Sequence, residues 1–264
     1  MKKALVRRIE PDRSQPLRRA FQLAFLLLNL LIGLQFWLFV RQYEASAPVF
    51  DGWSRPPGVE GWLPIAGMMN TRLLVLTGEV PVIHPAAMWL FLVFLTLSLL
   101  LRKAFCGWLC PVGTISEYLW RLGRDTFERN FALPKWLDVP LRSLKYILLG
   151  LFLYAVLSMA APDLKAFLQS PYGLVADVKM LNFFRYMSVT SAAVVGLLVI
   201  GSVFVKNFWC RYLFPYGALM GLAALASPLR IRRNPDRCID CAKCAKACPA
   251  SLPVDRLVQI RSAE

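Results

Sequence analysis

Residues 106–113 read CGWLCPVG, and residues 210–217 read CRYLFPYG. The two stretches align without a gap: Cys106 on Cys210, Leu109 on Leu213, Pro111 on Pro215 and Gly113 on Gly217. One position breaks the pattern, because Cys110 stands opposite Phe214. Each stretch follows an apolar segment, and a tandem duplication is the simplest account of two such turns at matching places. Proline sets the local geometry. A residue before proline avoids the helical region, while proline suits the first turn of a helix. Cys110 and Phe214 are therefore expected just ahead of helices opening at Pro111 and Pro215, close to a positive helix end that favours negative charge.

Outward from these turns the chain is apolar. Of its 264 residues, 57% are hydrophobic, against about 45–50% in an ordinary soluble domain, which points to a membrane class. Four segments are expected to cross: residues 20–40, 85–101, 146–161 and 186–205. A span takes about 20 residues, so the second and third are short. Arg102, Lys103 and Lys145 are placed to snorkel and make up the difference; re-entrant segments are the alternative. A fifth stretch, 215–229, is too short to span and is expected at the inner interface.

Charge sets the orientation. Residues 1–19, 102–145 and 206–264 hold 25 of the 31 Lys and Arg, and 10 of the 16 Asp and Glu. The positive-inside rule then places both termini and the central loop in the cytoplasm, with the whole net charge of +15 on the inner side. The basic surplus matches an anionic lipid surface, so no nucleic-acid partner is needed to explain it. The first span reads as a retained anchor with an Ala45-Ser46-Ala47 site behind it, since its apolar run is too long for a typical signal peptide. Cleavage there would leave the rest of the topology unchanged.

The expected organisation is an all-α integral membrane protein. A basic cytoplasmic N-terminus (1–19) precedes a four-helix membrane domain in two pseudo-repeated halves with two Cys-containing cytoplasmic turns (20–229). A small ferredoxin-like iron–sulfur segment follows (230–264). Residues 114–131 are expected to form an amphipathic helix against the inner leaflet, with Ile115, Tyr118, Leu119 and Leu122 on one face.

The tail carries the strongest motif. Cys238, Cys241, Cys244 and Cys248 have the spacing C-x2-C-x2-C-x3-C-P, the bacterial ferredoxin run, whose short spacings let three thiolates converge on one cubane. Structural zinc more often uses separated pairs or mixed Cys/His ligands, and the chain has a single His. Disulfides do not suit cytoplasmic cysteines. In two-cluster ferredoxins the fourth cysteine of such a run serves the other cluster. Shared ligation would leave Cys238, Cys241 and Cys244 needing one cysteine from outside the run and put Cys248 at a second site, and the remaining cysteines are Cys106, Cys110 and Cys210. With Phe214 in place of a cysteine there are seven thiolates for eight corners. One site then holds a three-iron cluster (3Fe-4S), a 4Fe-4S cluster with a non-cysteine ligand, or no metal. The rival arrangement puts all four tail cysteines on one cluster and leaves three thiols in the turns.

At these residues the chain resembles the membrane iron–sulfur proteins of the NapH type (periplasmic nitrate reductase systems) and the C-terminal half of NosR-type proteins. The resemblance rests on the paired C-x3-(C/F)-P turns followed by the ferredoxin run, and extends from the first span to Pro249. Phe214 and the single ferredoxin run depart from the family pattern. The resemblance implies electron transfer in the bacterial inner membrane, often with quinol as donor, to a redox partner protein or subunit. Two other readings stay open: a maturation or metal-reducing factor using the three-cysteine site, and a non-redox anchor or sensor with structural clusters.

No span carries paired histidines that would hold a haem. The outer loop RPPGVEGWLPIAGMMN (55–70), rich in Pro and Gly, is expected to form an ordered cap or docking surface. His84, ahead of Pro85, has two readings: a quinol proton acceptor with Glu79 nearby, or an interfacial residue hydrogen-bonded to the loop.

Overall fold

The computed structural model describes residues 14–45, 54–128, 131, 133–232, 238, 241, 244, 248, 259 and 260. The basic residues of 1–13, Ser46 and Ala47 of the Ala45-Ser46-Ala47 site, and most of the tail lie outside the described residues. Eleven α-helices are described: α1 (Ser14–Glu44), α2 (Pro64–Thr77), α3 (Pro85–Leu101), α4 (Pro111–Phe127), α5 (Lys135–Ser158), α6 (Ala161–Gln169), α7 (Pro171–Leu174), α8 (Ala176–Arg185), α9 (Val189–Phe204), α10 (Phe208–Tyr212) and α11 (Pro215–Leu225). A 3₁₀ turn, Pro57–Trp62, precedes α2, and a π-helical turn, Phe105–Leu109, precedes α4. The tail adds a two-residue antiparallel ladder, Ile231–Arg232 (β1) with Gln259–Ile260 (β2), which brackets the ferredoxin run.

Four spans were expected. Among the described residues, two helices are long and apolar enough to cross a membrane, Gln15–Glu44 and Trp136–Ser158, and the pair α8–α9, bent by 84°, makes a third if taken as one span. The segment expected at 146–161 is longer than expected because α5 starts eleven residues earlier. The Pro134 carbonyl accepts from Leu137 and Asp138 and opens the helix there. Pro140 sits near its start, where the missing N–H leaves a single carbonyl without its helical donor. The segment expected at 186–205 is shorter, because Ser188 caps a fresh helix: its Oγ accepts from the Ser191 amide at 3.2 Å. Pro85–Leu101 is apolar but has 17 residues.

The chain divides into two compact units, and its four boundaries fall inside α1, α3, α5 and α9. Unit 1 comprises Met1–Phe25, Leu97–Tyr146 and Leu197–Glu264. There α4 meets the end of α9 so closely that a side chain on Gly123 would collide with the Val203 carbonyl. The short apolar helix α11 is tied to the end of α3 by polar groups: the buried Ser98 hydroxyl donates to the Met220 carbonyl at 2.7 Å, and Ser227 donates to the Leu100 carbonyl at 3.0 Å. Hydroxyls inside an apolar layer need such acceptors.

Unit 2 comprises Leu26–Thr96 and Ile147–Gly196. Its apolar packing joins Met69 and Leu73 of α2 to Val156 of α5 and to Leu164 and Leu168 of α6. A second cluster sets Phe36 and Val40 of α1 against Val59. The expected outer cap is therefore a folded layer, with α2 helical over Pro64–Thr77 and ended by Gly78 in the left-handed region.

Candidate metal centre

The two cysteine turns make the same backbone bonds at matching places. The Cys110 amide donates to the Phe105 carbonyl at 2.9 Å, and the Phe214 amide to the Trp209 carbonyl at 3.1 Å. Thr114 then donates to Cys110, and Ala218 to Phe214, opening α4 and α11. Cys110 (φ −69, ψ 118) and Phe214 (φ −84, ψ 101) are extended, with proline following as the first helical residue. This is the geometry that the X-Pro pairs predict. Gly113 lets the helix start pass under the Cys106 carbonyl, which a Cβ would strike; at Gly217 a Cβ would lie 3.7 Å from the Cys210 carbonyl and 3.3 Å from the Phe214 ring.

The donor set suits a metal. Burial pushes the Cys106 thiol up to about 12, and a charge on Cys110 adds to the shift. Burial pushes Cys110 up too, opposed by the Gly113 and Val112 amides of the α4 N-terminus, which donate to its sulfur. Cys210 is raised by burial and by charge on Cys110 and Cys106, so the three thiols lie within electrostatic reach of one another. Such thiols stay protonated at neutral pH unless a metal takes the place of their protons. The Met220 thioether lies 3.9 Å from the Cys106 sulfur. Among the described residues, no three His, Cys, Asp or Glu side chains are already drawn to ligand distance around one point. Cys106, Cys110 and Cys210 would hold an iron–sulfur cluster here, which would supply one-electron transfer.

Each turn is held by charged groups that sequence reading missed. The second turn is bound to α5 through Asp138, whose carboxylate accepts from Arg211 at 3.1 Å through Nε and again through Nη2, from the buried Tyr212 hydroxyl, and from Arg142. The first turn is bound to α1 through Arg18 and Gln22, which share Glu117 of α4. Burial opposes ionisation of Glu117, but hydrogen bonds from Arg18 and Gln22 outweigh it and hold the carboxyl below its usual range. Gln22 offered the one available signal: a glutamine inside an apolar run needs a partner.

The tail cysteines are described singly. Cys238 and Cys248 are half-buried, and Cys241 and Cys244 are exposed. The Cys248 amide donates to the Cys244 carbonyl at 3.1 Å, and Lys206, between α9 and α10, reaches the Cys248 carbonyl at 3.5 Å. Lys206 also lies 5.1 Å from the centre of the buried Trp120 ring, a cation–π contact.

His84 lies in unit 2, buried and with a positive φ of 53°. Its acidic neighbour is Glu60 (Nδ1 to Oε1 3.3 Å), whereas Glu79 is exposed. Arg55 sits 2.9 Å from the same Nδ1 and 2.8 Å from Asp177, and Nε2 donates to the Gly173 carbonyl at 2.8 Å. Both ring nitrogens are thus engaged within the protein. The hydrogen bond to Glu60 raises the His84 pKa, outweighing burial. A raised folded-state pKa contributes stability that is fully present below the unfolded value of about 6.5 and is lost as pH rises through the folded value. Thermal unfolding in detergent is therefore expected to move to lower temperature above about pH 6.5, with a flatter profile in His84→Gln. A profile unchanged by the substitution would remove His84 as the cause.

Comparison with known proteins bears on these turns directly. A 4Fe-4S binding domain family, Fer4_5, matches residues 83–130 and again 188–234, once around each turn. A second 4Fe-4S binding domain family, Fer4_6, matches residues 230–253, over the ferredoxin run. The chain is 53% identical over 248 residues to the putative electron transport protein YccM of Escherichia coli (strain K12), covering 94% of this chain and 69% of that protein. The chain belongs to the NapH/NosR-type family of membrane ferredoxin-type proteins. It carries 4Fe-4S binding domains, and its role is iron–sulfur electron transfer at a membrane. Family members differ in length. The regulatory protein NosR of Pseudomonas aeruginosa is 34% identical over 159 residues, and the protein NirI of Paracoccus denitrificans is 29% identical over 225. The chain covers 21% and 31% of those two proteins. No solved structure matches the chain.

Proposed function

We propose that the chain is a four-span protein of the bacterial inner membrane, with both termini cytoplasmic, that passes electrons between a cytoplasmic donor or the quinone pool and a partner redox enzyme. The duplicated turn carries this reading. Two segments 104 residues apart share a family match, a proline-opened helix and the same i→i−5 amide bond. A duplicated half needs an inward helix before each turn, and α3 and α9 stand there. The outward helices are then α1 and α5, and 230–264 forms the iron–sulfur segment.

Ligation is shared in this reading. Cys238, Cys241 and Cys244 serve the tail cluster, completed by one cysteine from outside the run. Cys248 and the remaining turn cysteines among Cys106, Cys110 and Cys210 serve the second. The contact of Lys206, beside the second turn, with Cys248 supports this assignment over four tail cysteines on one cluster. Phe214 stands at the corner without a thiolate. The relative MauN of Paracoccus denitrificans, 26% identical over 174 residues, is a methylamine utilization ferredoxin-type protein, which favours an electron-transfer subunit over a dedicated enzyme.

Iron and sulfide content with EPR, on protein purified without oxygen, tests the proposal in wild type and Phe214→Cys. About seven iron per chain is expected, whereas near eight would mean two cubanes with a non-cysteine ligand at the incomplete site. A three-iron signal in the oxidised wild type is expected to convert to a four-iron signal in Phe214→Cys. About four iron, unchanged by the substitution, would overturn the two-cluster reading. Reporter fusions after residues 53, 131, 175 and 264 test the topology, with the first and third expected outside.

A further inference from the structure

Gly107 lies between the two cysteines of the first turn, and its carbonyl oxygen has two donors from α1. Arg18 Nη1 donates at 3.2 Å and Gln22 Nε2 at 3.0 Å. The same two side chains bind the helix that follows the turn. Arg18 Nη1 donates to Glu117 Oε2 at 2.9 Å, its Nη2 reaches Oε1, and Gln22 Nε2 donates to Oε2 at 2.8 Å. Between them on the same helical face, Phe21 lies 6.0 Å from the Trp108 ring, centre to centre. Residues 18, 21 and 22 follow the i, i+3, i+4 spacing of one helix face, so a single stripe of α1 grips the whole turn.

Burial makes this grip informative. Gln22 is 1% exposed and the Glu117 side chain 8%. A buried amide at the end of an apolar helix is costly unless it is bonded, and the groups it bonds are the ligand turn and its acidic neighbour. Arg121 also pairs with Glu117. Arg18, Arg121 and Glu117 thus leave one net positive charge beside the turn. A cluster's potential follows nearby charge and the hydrogen bonds that orient its ligands.

We propose that Arg18 and Gln22 are positioning residues for the cluster at the first turn: they fix the Gly107 peptide between Cys106 and Cys110, and Arg18 sets the potential upward through its charge. The inference rests on the reading that Cys106 and Cys110 are cluster ligands. The roles divide. Arg18 acts through charge and geometry, whereas Gln22 acts through geometry alone.

EPR-monitored redox titration of the anaerobically purified full chain tests it. A signal lost in Cys106→Ser and kept in Cys241→Ala is the turn signal, and the signal lost in Cys241→Ala is the tail signal. The turn signal is expected at lower potential in Arg18→Gln and near its original potential in Arg18→Lys, while the tail signal stays in place. Gln22→Leu keeps the charge; it is expected to broaden the turn signal and speed iron loss to a chelator, with a smaller shift in potential. If Arg18→Gln fails to fold, Gln22→Leu and Arg18→Lys carry the test alone. Shifts of both signals together, or a turn signal unmoved in Arg18→Gln and unbroadened in Gln22→Leu, would overturn the positioning role and leave the ligands standing. Full retention of iron and of every signal in Cys106→Ser would overturn the ligand reading, and the positioning role with it.

Discussion

Cys241→Ala is expected to remove about four iron per chain and reduce electron transfer through the protein to background. Cys241 is the middle residue of C-x2-C-x2-C, within the 4Fe-4S binding domain match at 230–253. In either ligation arrangement it belongs to the tail cluster, because the two differ in where Cys248 goes. A cubane that loses one of its thiolates loses a charged ligand for which alanine has no substitute. Cys248→Ala separates the arrangements: shared ligation predicts that the turn signal is lost or altered, while the rival predicts damage to the tail signal alone. Iron content and the dithionite-reduced EPR spectrum read both outcomes. Retention of all iron in Cys241→Ala would remove the tail run from the cofactor site.

Asp138→Ala is expected to cost about 3–5 kcal/mol, because it removes a buried carboxylate that pairs with a buried guanidinium. The side chains of Asp138 and Arg211 are each 12% exposed, and Tyr212 is 1% exposed. Loss of the carboxylate strips the Arg211 guanidinium of both its bonds to Asp138, and the Tyr212 hydroxyl and Arg142 of theirs. Arg211 follows Cys210 directly, so the second turn should loosen along with the fold. Asp138→Asn keeps the shape and a hydrogen-bond acceptor and should cost less. The double variant Asp138→Ala with Arg211→Met should be more stable than the sum of the single effects, since both members of the pair are then removed together. Thermal unfolding in detergent measures the first expectation, and iron retention during chelation measures the second. A single variant as stable as wild type would show that the turn stands without this network.

How much of this was legible beforehand depends on the range over which each cause acts. The helix starts at Pro111 and Pro215 and the extended Cys110 and Phe214 follow from proline sterics, which operate between neighbouring residues. The ends of the apolar helices were less legible. Ser188 as a cap and Pro134 as an acceptor moved them by three and eleven residues. These are single hydrogen bonds that hydropathy does not register. The outer loop was expected to be ordered, and of the two readings of His84 the one hydrogen-bonded to that loop agrees with its contact to Glu60, whereas the other had named Glu79. Proximity in the chain is a poor guide once the loop folds back on itself.

By itself, the sequence determined the chemistry: cysteines at cluster spacing, a duplicated turn with one corner changed to Phe214, and apolar segments whose basic flanks favour one side of a membrane. Those properties are local, since spacing, proline geometry and hydropathy need no knowledge of distant neighbours. Only the tertiary structure decided what holds the turns in place. Arg18 and Gln22 reach Gly107 across 89 and 85 residues, and Asp138 reaches Arg211 across 73. Any of several Arg, Glu and Asp residues in the basic loops had the charge to serve. Helix packing selected these, because a buried charge is tolerated only where a partner is brought against it.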